Sequence, residues 1–528
     1  MLTNIYGAKC IGIDAVPVTV EVDISTGIGI HLVGLADAAV KESLLRIMTA
    51  LQSVGMRIPG KKTVINLAPA DMHKQGSGYD LPIALGIIAA SGQRELPLLD
   101  KYIIMGELGL DGSVREVPGA LPIVELALRE GFEGCILPRT SALEAAEYEK
   151  TTVYAVDKLE DVLCILSGQG DKESFDVRNI PLQGEEEGPG IDYMDFSEII
   201  GQEGAKRGVE IACAGSHNLI MIGSPGSGKS SLAKAIAGIL PPMEMDEAII
   251  TSKIYSVAGK GGLRYGMSRR RPFRSPHYSA SLAAIVGGGG GDNILPGEVS
   301  LAQNGILFLD EFAQIPKTVA EALRGPLEDR QVTISRLRSR VVYPCSFMLV
   351  AATNPCPCGY YGEADRCTCT VAQRNSYLGR LSGPIMDRID VQLWLHPVDA
   401  GKLVNRPRAE SSAAVAERVR LAREIQKERF RGEGIFTNAE MSTKMMNELC
   451  PLDPACKDTM EKIIYRMGLS ARAYSRVIRM ARTIGDLRAA SMAVSHGCTP
   501  SAGPIIPAYI AEAAGYRFLD RAEMMSGL

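Results

Sequence analysis

The pattern of apolar and polar positions along the chain predicts a repeated succession of strands and helices. In the first 180 residues, strand-like segments such as VTVEVDIS, TVINLAPAD and YIIMGELGL alternate with helix-like segments such as DAAVKESLLRIMTALQSVG. From about 190 to 400, apolar runs typical of buried strands end in polar residues. From SSAAVAERVRLAREIQKERF onward the spacing is helical. The pattern therefore predicts a multidomain α/β chain with an all-α C-terminal region.

A segment that combines charge, proline and glycine interrupts this pattern at 181–190, PLQGEEEGPG. Such a composition is typical of a linker, and 528 residues are too many for one hydrophobic core. We therefore expect an α/β domain at 1–180, the linker at 181–190, a second α/β domain at 191–400 and a helical domain at 401–528.

Composition restricts the classes of protein to which the chain can belong. The formal net charge is −4 at pH 7, so nucleic-acid binding would have to come from local basic patches. The longest apolar run, 81–90, is shorter than a bilayer span and fits a core helix. The first residues lack the basic and apolar regions of a signal peptide. Twelve cysteines in so long a chain do not indicate a disulfide framework, and we expect a cytoplasmic protein without a membrane partner.

The segment LIMIGSPGSGKSSL, 219–232, predicts a strand, a glycine-rich turn and the start of a helix. Its glycines, lysine and serine have the P-loop spacing G-x-x-x-x-G-K-[ST]. In such a loop, backbone N–H groups and the helix N-terminus surround phosphate, the lysine reaches the β- and γ-phosphates, and the serine hydroxyl ligates Mg²⁺. ATP and Mg²⁺ are the predicted cofactors. The predicted nucleotide contacts are Gly223, Ser224, Pro225, Gly226, Ser227, Gly228, Lys229, Ser230 and Ser231.

Two further apolar runs end in residues that suit nucleotide hydrolysis. ILFLDEF, 306–312, predicts a buried strand that delivers Asp310 and Glu311 to its carboxyl end. In a P-loop fold, Asp310 would hold Mg²⁺ through water and Glu311 would orient the attacking water. FMLVAATN, 347–354, predicts a second such strand, which places Asn354 near the γ-phosphate or the water.

These segments, together with DFSEIIGQEGAKRGVEIA before the P-loop, resemble the AAA+ ATPases. The resemblance implies an αβα core followed by a helical lid. It also implies that Arg388, in GPIMDRIDV, is an arginine finger that reaches the γ-phosphate of a neighbouring subunit, so that the working unit is a ring. The alternative for Arg388 is a surface salt bridge with Asp387 or Asp390.

Three further segments restrict the resemblance to a smaller group within the AAA+ proteins. RRRPFRSPHYSASLAAIVGGGGG, PGEVSLAQNGILFLDEF and NPCPCG are similar to segments of the magnesium-chelatase-like AAA+ proteins and, within that group, of the ComM/YifB family. Membership implies a hexameric helicase that binds branched or single-stranded DNA without sequence preference. It would drive branch migration in recombination and natural transformation. The alternatives are an ATP-dependent Lon-like protease and a metal-chelatase-type motor subunit.

The first domain resembles the Lon-type protease domain. The resemblance rests on MGELGLDGSVREVPGALPIVELALREGFEGCILP and on KQGSGYDLPIALGIIAA. In that family a lysine activates the active-site serine, but here Gly78 stands at the serine position and Leu121 at the lysine position. Ser77 lies one residue away without a matching lysine. We therefore expect a Lon-like fold that is proteolytically inactive.

Two groups of arginines are candidates for DNA contact. QVTISRLRSRVVYP reads as two strands joined by a short turn that carries Arg336, Arg338 and Arg340, and arginines on such a pore hairpin can bind phosphates irrespective of sequence. The other group, which we call the first basic cluster, is Arg264, Arg269, Arg270, Arg271 and Arg274. The alternative for both groups is that they bind acids of neighbouring subunits or lie solvated in loops.

Four cysteines have the spacing C-x-C-x₈-C-x-C and are candidate ligands of a structural Zn²⁺: Cys356, Cys358, Cys367 and Cys369. The alternative is four free thiols in a loop. Four protein ligands leave no open position on the metal, so no chemistry is assigned to it.

The C-terminal region predicts helices at 438–450, 458–467 and 470–490. Arg472 and Arg476 lie one turn apart on the last of these. The family resemblance implies a second sensor arginine on this helix, for which Arg472 aligns better, and the alternative is an exposed basic helix. No purpose is predicted for the segment that contains proline and glycine at 497–507.

Overall fold

The computed structural model describes residues 2–35, 38–74, 76–168, 171–181, 193–260, 267–290, 294–336, 340–363, 366–381, 383–398, 401 and 409–520. Arg264, Arg338 and all but the first residue of the predicted linker lie outside the described residues.

The N-terminal region combines strands and helices as the sequence pattern predicts. Its elements are β1 (Leu2–Ile11), β2 (Asp14–Ser25), β3 (Ile30–Val33), α1 (Ala38–Ser53), β4 (Lys62–Ala68), α2 (Asp80–Ala90), β5 (Tyr102–Ile104), β6 (Glu107–Leu108), β7 (Val114–Arg115), α3 (Ala120–Glu130), β8 (Gly134–Pro138), α4 (Arg139–Ala142), β9 (Thr152–Val156) and α5 (Leu159–Leu166). Seven strands form one mixed sheet in the order β3-β4-β2-β1-β5-β8-β9. The single strand predicted for YIIMGELGL is wrong, because the chain leaves this sheet after β5 and β6 pairs with β7 instead.

Helix α2 is the core helix that its apolar sequence predicts. Ten of its eleven residues are buried, including the carboxylate-bearing Asp80, which the Arg46 guanidinium contacts at 2.8 Å. Among the described residues, none of the helices combines the length and the hydropathy that a bilayer crossing requires.

The central region is built on a five-stranded parallel sheet. Its elements are α6 (Glu203–Gly215), β10 (Leu219–Gly223), α7 (Lys229–Ile239), α8 (Met245–Val257), β11 (Phe273–Arg274), α9 (Leu282–Val286), β12 (Gly287–Gly288), β13 (Leu295–Pro296), α10 (Glu298–Leu301), β14 (Ile306–Leu309), α11 (Lys317–Ala322), α12 (Arg324–Asp329), β15 (Gln331–Ser335), β16 (Arg340–Pro344), β17 (Met348–Thr353), α13 (Val371–Leu378), α14 (Gly383–Met386) and β18 (Val391–Leu395). The sheet order is β11-β14-β17-β10-β18. Every residue of β10, β14 and β17 is buried, as expected for parallel strands covered on both faces. Their carboxyl ends therefore meet at one edge.

The described residues after 409 form helices without a strand: α15 (Ser412–Arg429), α16 (Thr443–Leu449), α17 (Pro454–Met467), α18 (Ala471–His496) and α19 (Pro507–Gly515). The predicted helix at 438–450 is interrupted because Ser442 caps α16 by accepting a hydrogen bond from the Met445 N–H. The segment before α19 packs on its neighbours, since the Arg482 guanidinium donates to the Gly503 carbonyl at 2.9 Å.

The N-terminal region contacts the central region through α8. The Lys253 ammonium lies 3.1 Å from an Asp14 oxygen and 2.6 Å from a Glu125 oxygen. The Gly119 N–H donates to the Ser256 carbonyl at 3.0 Å. These contacts join α3 and the start of β2 to a helix of the central region.

Candidate active site

The glycine-rich loop between β10 and α7 has a backbone that only glycine adopts readily. Gly226 and Gly228 have φ angles of 79° and 93°, which lie in the left-handed region that side chains disfavour. Gly223 is required for a different reason: a Cβ there would lie 2.6 Å from Ser227 Oγ and 2.7 Å from the Leu395 carbonyl. The loop is thus packed against β18 and turns immediately into α7.

Lys229, the first residue of α7, points back into this loop. Its Nζ donates to the carbonyls of Gly223 at 2.6 Å and Ser224 at 3.0 Å and to Asn354 Oδ1 at 3.1 Å. Burial lowers the pKa of the ammonium, while the carboxylates of Asp310 and Glu311 act in the opposite direction. A partly desolvated cation therefore lies where an anionic ligand of the loop would bind.

The acidic residues after β14 lie beside the loop, as the sequence predicts. Ser230 Oγ donates to Asp310 Oδ2 at 3.2 Å. Asn354 Nδ2 lies 3.4 Å from Glu311 Oε2, and Gln314 Nε2 donates to the same oxygen at 2.8 Å. The structure therefore brings the loop and the ends of β14 and β17 into one cluster.

A cavity of about 500 Å³ adjoins the loop on the β18 side. Gln202 connects the two, because its Nε2 donates to the Ser227 carbonyl at 3.3 Å and to the His396 carbonyl at 2.6 Å. Trp394, Tyr516 and Phe518 supply aromatic surface to the cavity lining. The sequence analysis missed these residues, which come from three distant segments. The signal that was available is the position of Gln202 in the segment DFSEIIGQ before the P-loop.

Comparison with known proteins identifies the family. Family models of the magnesium chelatase subunit ChlI match residues 195–403 and 20–141, and a model of the ChlI C-terminal part matches 409–497. The chain is 39% identical over 522 residues to protein YifB of Salmonella typhimurium, and 39% identical over 522 residues to competence protein ComM of Haemophilus influenzae. Each alignment covers 98% of both chains. The chain belongs to the ComM/YifB family.

The resemblance to magnesium-chelatase-like AAA+ proteins is therefore confirmed, and AAA+ proteins of this family are ATPases. A likeness to Lon proteases is partial. The archaeal Lon protease of Methanocaldococcus jannaschii is 26% identical over 162 residues, which are 30% of this chain and 25% of that protease.

Arg388 lies away from the P-loop of its own chain. β18 runs parallel to β10, with Leu219 opposite Val391 and Gly223 opposite Leu395, and Arg388 precedes β18. It therefore lies at the opposite edge of the sheet, more than about 13 Å along the strands. The guanidinium is buried, donates to the Pro384 carbonyl at 2.6 Å and contacts Glu328. The alternative partners Asp387 and Asp390 are thus wrong.

The two candidate sensor arginines differ in their surroundings. Arg472 is exposed and lies 4.0 Å from the same Glu328 carboxylate that contacts Arg388. Arg476 instead contacts Asp390 at 2.5 Å and is largely buried. Both lie on α18, which meets the amino-terminal edge of the sheet, where His217 Nε2 lies 2.8 Å from Thr483 Oγ1. Arg472 is therefore the arginine that remains accessible beside Arg388.

The two arginine groups also differ. Arg336 and Arg340 are exposed at the facing ends of the hairpin β15–β16. In the first basic cluster, the Arg271 guanidinium donates to Glu247 at 2.8 and 3.0 Å, and the Arg274 guanidinium to Glu298 at 2.6 and 2.8 Å. Acids of their own chain therefore bind these two arginines, and DNA contact by the first basic cluster stays a prediction. Arg269 and Arg270 are exposed.

The four cysteine sulfurs lie close enough to bind one metal ion. Each Sγ is within 4.8 Å of the others. Cys356 Sγ lies 3.4 Å from Cys358 Sγ and 3.9 Å from Cys367 Sγ, and the latter two are 3.7 Å apart. In a tetrahedral site with Zn–S distances of about 2.3 Å, neighbouring sulfurs are separated by about 3.8 Å. The three measured separations are close to those that a zinc ion requires.

The residues that match the Lon dyad do not form a catalytic pair. The Ser77 hydroxyl donates to the Glu107 carboxylate. A Cβ on Gly78 would lie 3.1 Å from both Met105 and Val117, and Leu121 is buried in the core of the N-terminal region. Neither position supplies a base for Ser77, and the loss of protease activity stays a prediction.

Proposed function

We propose that this protein is a ring-forming ATPase that couples ATP hydrolysis to movement along DNA, as a branch-migration helicase in recombination and natural transformation. One observation carries the proposal: five groups of an ATP-hydrolysing site lie together at the carboxyl edge of the sheet. They are Lys229, Ser230, Asp310, Glu311 and Asn354.

The chemistry follows from the contacts of these groups. Lys229 would exchange its carbonyl partners for the β- and γ-phosphates, and the glycine loop would surround them with N–H groups. Glu311 would orient water for in-line attack, and Asn354, which contacts both Glu311 and Lys229, would align water with phosphate. The aromatic cavity beside Gln202 would receive the nucleoside.

Ser230 and Asp310 would hold Mg²⁺. The Ser230 hydroxyl would bind the ion directly and the Asp310 carboxylate through water, and the two oxygens lie 3.2 Å apart in this structure. When bound, the ion supplies neutralisation of phosphate charge. The short separations between the four cysteine sulfurs likewise support zinc as the metal of the four-cysteine cluster.

The proposed active site lies between subunits. An arginine at the amino-terminal edge of the sheet is too far from the P-loop of its own chain to act on its γ-phosphate. Arg388, on release from Glu328, and the exposed Arg472 would therefore serve the nucleotide of a neighbouring copy, as arginine fingers supplied in trans do. A closed ring gives every copy such a neighbour, and the family resemblance implies six copies.

The DNA contact would be the hairpin β15–β16. Arg336 and Arg340 are exposed there, and a Cβ on Gly288 of the adjacent strand β12 would lie 3.4 Å from Arg336 Nη2. Cations beside backbone that carries no side chain suit a phosphate backbone of any sequence. The relative from Haemophilus influenzae is named a competence protein, and this name supports the proposal that the present chain handles DNA.

ATP turnover by Lys229→Ala tests the site. We expect a loss of at least about 100-fold, because the variant lacks the cation that faces the phosphates. Lys234→Ala, which changes an exposed lysine of the same helix, is the matched control and should turn over normally. Each protein is assayed with and without four-way DNA, and strand exchange is followed in parallel. Wild-type turnover by Lys229→Ala would refute the ATP site, and turnover that DNA neither stimulates nor couples to strand exchange would refute the DNA motor.

A further inference from the structure

We propose that the four-cysteine loop is a wall of the nucleotide site, so that a zinc ion bound by its thiolates fixes the residues that hold ATP. The inference rests on the proposed ATP site. It concerns three contacts that the loop makes with different parts of that site, each through a different residue.

The first contact runs along the backbone, because Asn354 and the first cysteine of the loop are close in sequence. Asn354 follows β17 and lies only two residues before Cys356. The Cys356 side chain is fully buried, and Asn354 Oδ1 accepts a hydrogen bond from Lys229 at 3.1 Å. A ligand that holds Cys356 in place therefore also limits the movement of the amide that contacts the P-loop lysine.

The second contact joins the loop to the P-loop backbone. Gly359 lies between the second and third cysteines, has φ +87°, and donates its N–H to the Cys356 carbonyl at 3.0 Å. A Cβ at this position would lie 2.8 Å from Pro225 Cδ. The cysteine loop thus packs directly on the tip of the phosphate-binding turn.

The third contact reaches the cavity. The Tyr361 ring meets the Trp394 ring edge-on, with centroids 6.4 Å apart, and Phe518 lies 6.0 Å from Trp394 on a separate contact. The Arg374 guanidinium lies 4.4 Å from the centroid of the Tyr361 ring. Trp394 lines the cavity that would receive the nucleoside.

These contacts persist only if the loop keeps one conformation. The described residues between β17 and α13 contain no helix or strand that would fix that conformation. Free thiols are weak hydrogen-bond partners, whereas a tetrathiolate metal site cross-links a segment strongly enough to determine its fold. Loss of the metal would therefore release Asn354, Gly359 and Tyr361 together.

The single tryptophan of the chain, Trp394, allows a direct test on the full-length protein. Zinc content is measured, the metal is removed with a chelator, and Trp394 emission and the affinity for a fluorescent ADP analogue are recorded. We expect about one zinc per chain. Its removal should change the emission and weaken ADP binding at least tenfold, and added Zn²⁺ should restore both.

Two variants distinguish the contact between the loop and the P-loop from the binding of zinc by the cysteines. Gly359→Ala should keep zinc but bind ADP at least several-fold more weakly, because its methyl group would press on Pro225. Cys367→Ser combined with Cys369→Ser should lose zinc and reproduce the chelated state. Cys498→Ser, which changes an exposed cysteine outside the loop, is the control and should match wild type.

The outcomes distinguish this inference from the proposed function. Lys229→Ala should still bind zinc and show the zinc-dependent change in Trp394 emission, whatever its turnover. A chain that binds no zinc, or one that loses zinc without change in Trp394 emission and ADP affinity, would overturn the inference. Neither result would affect the assignment of Lys229 and Glu311.

Discussion

The P-loop and the segment around Ser77 each resemble part of an enzyme active site, but their surroundings differ. Lys229 contacts Asn354 at 3.1 Å, and Asn354 in turn lies 3.4 Å from Glu311. The Ser77 hydroxyl instead donates to the Glu107 carboxylate, and Leu121, at the position that the resemblance to Lon-type proteases implies for the lysine, is apolar and buried. The P-loop has several candidate reactive groups at contact distance, whereas Ser77 has a carboxylate partner and no lysine at the matching position.

This difference follows from what each property depends on. A fold depends on buried apolar area, which the N-terminal region retains in its seven-stranded sheet and in α2. A reaction depends on a few polar groups at fixed distances, so two substitutions are enough to remove it. The N-terminal region remains joined to the central region through Lys253 of α8.

The largest effect on ATP turnover is expected at Arg388, which we propose completes the nucleotide site of a neighbouring copy. Arg388→Ala should bind ATP normally but lose roughly 10³-fold or more in turnover, since arginine fingers contribute effects of that order. Mixing Arg388→Ala with Lys229→Ala should restore part of the turnover. In mixed rings, a Lys229→Ala copy supplies its arginine to the intact P-loop of an Arg388→Ala copy.

Arg374→Ala is the control for loss of an arginine near the P-loop of the same chain, because the Arg374 guanidinium lies over the Tyr361 ring, which contacts Trp394 of the cavity lining. Mixing Arg374→Ala with Lys229→Ala should not restore ATP turnover. Failure of the Arg388→Ala and Lys229→Ala mixture to exceed the sum of its parts would mean that each chain hydrolyses ATP with its own residues.

The sequence predicts the contiguous parts of this molecule well. Each of the strands β10, β14 and β17 appears as an apolar run with the functional residue directly after it, so that strand, edge and chemistry are encoded within about ten positions. The carboxyl ends of parallel strands then bring Lys229, Asp310 and Asn354 together without further information.

Pairings between distant segments could not be predicted in this way. Arg271 and Arg274 read as free cations, because Glu247 and Glu298 each lie 24 residues away and reach them only through the fold. The Glu328 partner of Arg388, 60 residues before it, has the same cause. Side-chain pairing on this scale depends on tertiary packing, which has no period in the sequence.

A second prediction tests whether the N-terminal region can regain chemistry. Gly78→Ser combined with Leu121→Lys restores the residue types of the Lon dyad, yet we expect no peptide hydrolysis. The added Cβ at Gly78 costs about 1–3 kcal/mol by overpacking against Met105 and Val117. An unpaired ammonium at buried position 121 costs about 3–5 kcal/mol more.

The measurement is thermal unfolding followed by circular dichroism, together with casein degradation. Gly60→Ser is the matched control, because a Cβ at Gly60 has no neighbour within 4 Å, and its unfolding temperature should stay close to wild type. A stable double variant that degrades casein would show that the region is an enzyme lacking only two side chains.

The smallest effect is expected at Glu144, where the two regions meet. Burial raises the pKa of this carboxyl from 4.5 to about 7, although a hydrogen bond with Ser256 of α8 acts in the opposite direction. The folded state therefore holds a proton that the unfolded chain releases above pH 4.5. Stability from this group is present below pH 4.5 and is lost as the pH rises to about 7. Glu144→Gln, which cannot ionise, should remove this loss and be about 2–3 kcal/mol more stable than wild type at pH 8 relative to pH 5.

Denaturant unfolding at pH 5 and pH 8 measures this difference for wild type, Glu144→Gln and the control Glu149→Gln, whose carboxyl is exposed. The control should keep the wild-type dependence on pH. Equal pH dependence in Glu144→Gln and wild type would mean that Glu144 ionises freely, and hence that water reaches the contact between the N-terminal region and α8. A dry contact, by contrast, makes the N-terminal region a rigid part of the nucleotide-binding half, because opening it would expose the buried carboxyl to solvent.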